Sequence, residues 1–175
     1  MTRAAPLSFA AWVLLLAASS EAADSYVRAA VDEAGALRVV TRAGRALVFH
    51  KEPEQIDFDQ IVVSPDSLSV GWLALYPNCC TSYPIPLKLV VYSAGKLRKY
   101  SGSELPVWRW RFLARGKQVA FEQETVHGGL GVHYELRDVR NGRLIGEYTP
   151  ATGADSLPEA NPNAPEWVAE LDAKP

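Results

Sequence analysis

Ile61 to Trp72 reads IVVSPDSLSVGW, and Trp110 to Phe121 reads WRFLARGKQVAF. The two runs are offset by 49 residues, and each has the pattern strand, turn, strand. Downstream, LVVYSAGKL (Leu89 to Leu97) lies over LRDVRNGRL (Leu136 to Leu144) at an offset of 47, each a strand, a glycine turn and a strand. A partial third copy of this second half, RVVTRAGRA (Arg38 to Ala46), puts Gly44 where the others have Gly95 and Gly142. Such spaced self-similarity is the signature of a repeat architecture. β-Branched and aromatic residues fill the expected strands, whereas Gly, Asp, Ser and Asn mark the turns.

The expected strands are Tyr26–Val31, Ala36–Thr41, Arg45–His50, Gln60–Ser64, Ser69–Tyr76, Leu87–Ser93, Lys96–Tyr100, Val107–Leu113, Gln118–Thr125, Val132–Val139 and Arg143–Tyr148. They group as three, four and four. Ser64-Pro65-Asp66, followed by Val70-Gly71-Trp72-Leu73-Ala74 and then by Leu89-Val90-Val91-Tyr92, resembles the blade of TolB-like periplasmic β-propellers. The second copy departs from it, with Ala114-Arg115-Gly116 in place of the tripeptide. The resemblance covers Gln60 to about Thr149 and implies a scaffold for partner binding, with no catalytic residue carried over.

A closed propeller needs about four to eight blades, more than this chain can supply. Strand faces suggest what replaces closure. Val70, Trp72, Ala74 and Tyr76 alternate with Ser69, Gly71, Leu73 and Leu75, so the middle sheet is apolar on both faces and should be covered on both sides. His133, Glu135 and Arg137 alternate with Val132, Tyr134 and Leu136, and Arg28, Arg38 and Arg42 oppose Leu37, Val39, Leu47 and Phe49. End sheets polar on the outside describe an all-β, open stack of three antiparallel sheets. The chain then reads as a monomer, with a homodimer through Trp108 and Trp110 or through sheet edges as the alternative.

The first 22 residues carry Arg3, then an apolar run from Phe9 to Ala18, then Ser20-Glu21-Ala22, the layout of a cleavable signal peptide. Secretion or a periplasmic location is the expectation. The blade repeat occupies Ala23 to Thr149. Pro150 to Pro175 holds five of the twelve prolines, five acids and one lysine. This acidic tail has one helical stretch, Pro165 to Leu171, with Pro in the first turn. The overall net charge of -2 gives no basic excess for nucleic acid.

Nucleophile-elbow, zincin, phosphate-loop and dinucleotide motifs are all missing from the sequence. Cys79-Cys80 is the most unusual feature. In an oxidising compartment it reads as a strained vicinal disulfide, as free or partner-linked thiols, or as metal ligands. The repeat places Asn78-Cys79-Cys80 and His127-Gly128-Gly129 in equivalent loops, and His50 leaves its strand at that same end. Tyr83 and its neighbouring prolines rigidify the cysteine loop. The leading expectation is a non-catalytic binding module for an envelope protein or small ligand, using Asn78, Cys79, Cys80, Tyr83, His127, Gly128 and Gly129. The alternative is a zinc or copper or redox protein using Cys79, Cys80, His50 and His127, since cysteine and histidine are soft-metal ligands. A hydrolytic reading would pair Glu124 with His133 across a hairpin.

Overall fold

The computed structural model describes residues 25–78, 82–101, 105–126, 131–150 and 163–173. Eleven strands form three antiparallel meanders. The first sheet is β1 (Tyr26–Val31), β2 (Leu37–Thr41) and β3 (Ala46–Phe49). The second is β4 (Asp57–Val63), β5 (Ser69–Tyr76), β6 (Ile85–Ser93) and β7 (Lys96–Tyr100). The third is β8 (Val107–Leu113), β9 (Gln118–Glu124), β10 (Val132–Asp138) and β11 (Leu144–Tyr148). A short helix α1 (Glu166–Asp172) follows. The expected signal peptide lies outside the described residues, and no described helix is long and apolar enough to cross a membrane.

The repeat is visible in the backbone. Gly44, Gly95 and Gly142 each turn the chain into the last strand of its own sheet, at φ of 80°, 73° and 78°. A side chain resists this left-handed conformation, which is why the same residue recurs there. The turn between the first two strands differs between the copies. In the second sheet the Asp66 carboxylate accepts Ser64 Oγ at 2.6 Å and the Leu68 N–H at 3.0 Å. In the third, Ala114, Arg115 and Gly116 all take positive φ. A Cβ on Gly116 would fall 2.7 Å from Asp66 Oδ1, so these two turns touch.

Every residue of β5 except Leu75 is buried, as an apolar-on-both-faces strand requires. Val70, Trp72, Ala74 and Tyr76 pack with Leu37, Val39 and Phe58 against the first sheet. Leu73, Leu89 and Val91 pack with Trp110, Phe112, Val119 and Phe121 of the third. Gly71 makes this second interface possible, because a Cβ there would meet the Trp110 ring at 2.5 Å.

Three expectations need correction. The outer face of the third sheet is not polar. Ala120, Val132, Tyr134 and Leu136 form that face, and Val168 and Leu171 of α1 cover it. His133, Glu135 and Arg137 pair with Gln123, Phe121 and Val119, placing them on the inner side. There Glu135 accepts from Gln123 and Arg137. Alternation sorted the residues of β10 correctly, but the neighbouring sheet decides which side is covered. Second, Trp108 and Trp110 do not share a face. A bulge between Val107 and Arg109 displaces Trp108, whose Nε1 donates to the Glu124 carbonyl at 2.9 Å. Trp110 is buried in the core and is not free to contact a second copy. Third, β6 begins two residues before the expected Leu87 and includes Pro86. Beside Pro86 lies only β5, whose register shifts between Ala74 and Leu75, so no ladder hydrogen bond is demanded of the proline.

Candidate functional site

The connector between the first two sheets, residues 50–56, folds as a tight turn held by Gln55. Gln55 Oε1 accepts the Glu52 N–H at 3.1 Å, and its Nε2 donates to the Asp57 carbonyl at 2.9 Å. This fixes Glu52 over the end of the second sheet. Its carboxylate accepts from Lys88 Nζ at 2.8 Å and from Tyr76 Oη at 3.0 Å, and it also pairs with Lys99. Lys88 Nζ sits 4.9 Å from the centre of the Tyr76 ring. The Lys88 and Lys99 bonds hold the Glu52 carboxyl at about 2, against an ordinary 4.5. Burial pushes the Tyr76 phenol up, and Glu52 pushes the Lys88 ammonium up.

Beneath this cluster lies a cleft of about 270 Å³ between the first and second sheets. Phe49, Phe58 and Trp72 floor it, with ring centres 5.2 Å apart for Phe49–Trp72 and 6.3 Å for Phe58–Trp72. Val48, Val90 and Leu97 add apolar walls. Lys99 stands at the mouth, half exposed, beside Glu52. The combination of an apolar lining with a few fixed polar groups is what small-ligand sites use.

His50 lines this cleft and is exposed. Tyr76 and Lys88 flank the β5–β6 loop, so their contacts with Glu52 bring the loop's base to the end where His50 leaves β3. Asn78 is half-buried and Tyr83 is half exposed on that loop. The readings placed on Cys79, Cys80, His127, Gly128 and Gly129 fall outside the described residues. The β4–β5, β6–β7, β8–β9 and β10–β11 turns gather at the opposite end, where Asp66, Ala94, Gly116 and Arg140 line one depression. The β5–β6 and β9–β10 loops therefore both leave from the end bearing Glu52. Among the described residues no group of three or more His, Cys, Asp and Glu is placed to hold a metal.

Glu124 and His133 do not face one another. The hairpin pairs Glu124 with Val132 and His133 with Gln123, one residue away from the expected register. A single-residue slip sends a side chain to the other face. His133 instead has Nδ1 at 2.8 Å from Thr149 Oγ1 and Nε2 at 3.8 Å from Glu135.

Sequence reasoning missed Glu52, Tyr76, Lys88, Lys99 and Trp72 as a group. One signal was available. Lys88 and Val90 share a face by alternation, and the Gly95 hairpin sets Lys99 opposite Val90. Two lysines on a covered face call for a counter-charge. Nothing local marked Glu52 as that acid, because the contact spans 36 residues.

Comparisons with protein-family models, with curated proteins and with solved structures give no match for this chain.

Proposed function

We propose that the protein is a non-catalytic binding module of the secreted or periplasmic space. Its recognition surface is the end of the stack that carries the Glu52 cleft and the loops containing Asn78 to Tyr83 and His127 to Gly129. The partner is an envelope protein or a small ligand. The observation that carries this reading is the fixed Glu52–Lys88–Lys99–Tyr76 cluster over an aromatic floor. Its charges are held in place before any partner arrives, so binding costs little further ordering. An apolar group of the partner would enter toward Phe49 and Trp72, and an anionic one would compete with Glu52 for Lys99. The likeness of the repeat to TolB-like blades supports the same reading, because such scaffolds present loops at one end. The leader layout at residues 1–22 supports the compartment.

The test is partner recovery from an envelope extract by three proteins: the wild type, Lys99→Glu, and a variant with residues 78–83 replaced by Gly-Ser. Titration of the same proteins with candidate small ligands, followed by tryptophan fluorescence, covers the second partner class. Loss of binding in both variants, with unfolding temperatures near wild type, is the expected result. Recovery and fluorescence response unchanged in both would exclude this end of the stack.

A further inference from the structure

Among the described residues, Arg98 Nη1, Tyr100 Oη and Trp110 Nε1 are buried without a hydrogen-bond partner. Two of these belong to alternate residues of β7 and converge. A Cβ placed on Gly142 would lie 3.5 Å from Tyr100 Oη, and 3.3 and 3.7 Å from Cδ and Nε of Arg98. The phenol and the guanidinium therefore border the same small space under the β10–β11 turn. Tyr100 is 8% exposed, and its ring stacks on Phe121 at 5.7 Å, so the hydroxyl is fixed in direction.

The chemistry of this space is that of donors. A guanidinium has five N–H groups and no acceptor. Arg98 Nη2 donates to the Arg140 carbonyl, and Arg98 makes no ion pair with a described carboxylate. Burial pushes the Tyr100 phenol up, which keeps its proton in place as a donor. Arg137 adds positive charge, its guanidinium carbon 5.5 Å from the centre of the Tyr100 ring. A water here would need acceptors for its own hydrogens. The two nearby carbonyls, of Arg140 and Gly142, already accept from Arg98 and Arg137. An anion needs only donors.

We propose that Arg98 and Tyr100 form, beneath the Gly142 turn, a binding site for one small monovalent anion of halide size, chloride in ordinary solution. The site ties the last strand of the second sheet to the last turn of the third, so occupancy strengthens the docking of the two sheets. It stands apart from the Glu52 cleft and does not depend on the function proposed for that cleft.

The test is thermal unfolding of the full chain in sodium chloride and in sodium gluconate at matched ionic strength. A ligand that binds only the folded state adds stability with the logarithm of its concentration. The unfolding temperature should therefore rise by about 3 °C for each tenfold increase in chloride above the dissociation constant. Tyr100→Phe, which keeps the stacked ring, and Arg98→Met should each abolish the difference between the two salts. Crystals of the wild type grown in bromide should show an anomalous peak within hydrogen-bond distance of Arg98 Nη1 and Tyr100 Oη. The bromide experiment decides the matter if the variants do not fold. Equal unfolding temperatures in the two salts, a chloride effect that persists in Tyr100→Phe, or a bromide map without the peak would each overturn the proposal.

Discussion

Gly71→Ala is the smallest change that probes the stack. Gly71 lies in the middle of β5, and an added Cβ would meet three atoms of the Trp110 ring at 2.5, 2.8 and 3.2 Å. Carbon atoms rest at about 3.5–4.0 Å, so the indole must retreat by about 1 Å. It has little room, because Trp110 is buried and packs edge-on against Phe112 at 5.1 Å. Overpacking of this kind costs about 2–3 kcal/mol. Replacing glycine in a strand returns about 0.5–1 kcal/mol of backbone entropy. The net loss is about 2 kcal/mol, which lowers the unfolding temperature of a chain this size by about 4–8 °C. Urea and thermal unfolding measure it. Trp110→Leu provides the control, since it removes the obstacle. The double variant should be more stable than the sum of the single effects, with a coupling of at least about 1 kcal/mol. A Gly71→Ala protein as stable as wild type, or two effects that simply add, would refute the packing of sheet two on sheet three through this residue.

Other consequences follow from the same structure. Because the Glu52 carboxyl is held at about 2 rather than 4.5, its contribution is present above about pH 4.5 and lost as pH falls toward 2. Glu52→Gln should therefore cost about 1 kcal/mol at pH 7, after allowance for solvent screening, and almost nothing at pH 2, as read from urea unfolding at both pH values. Ending the chain at Pro150 uncovers Ala120, Val132, Tyr134 and Leu136 of the third sheet. The truncated protein should bind an apolar dye and self-associate on size exclusion, and a monomer without dye binding would show that α1 is not the cap. Gly95→Ala meets no neighbouring atom but must adopt a φ of 73°. It should lose about 1 kcal/mol, with Gly95→Asn losing less, as measured by thermal unfolding.

What the sequence revealed and what it withheld have physical causes. Turn glycines and the two apolar faces of β5 are local signals, and they were enough for the three-sheet stack. Faces lost their meaning where a bulge intervened, as at Trp108, and register failed by one residue at Glu124. Inside and outside of the third sheet were reversed for a different reason. The polar residues of β10 sit where Tyr100 and the β7 edge meet them, and the apolar ones sit where α1 arrives from the tail. Neither neighbour is visible in the alternation of β10 itself. The candidate site was legible only as an end of the fold. His50 and the cysteine-loop strands pointed there, but the ionic cluster joins Glu52 to residues 24, 36 and 47 positions away. No short-range pattern encodes such a contact.

The stacking of consecutive four-stranded units through Gly71 and Trp110 is the claim on which the placement of both loop ends rests. Nuclear Overhauser spectra of the labelled full chain test it directly. The account predicts strong cross-peaks from the Gly71 α-protons to the outer ring protons of Trp110, with those α-protons shifted upfield by the indole. Gly71 α-protons at ordinary strand shifts, with no cross-peak to Trp110, would contradict it.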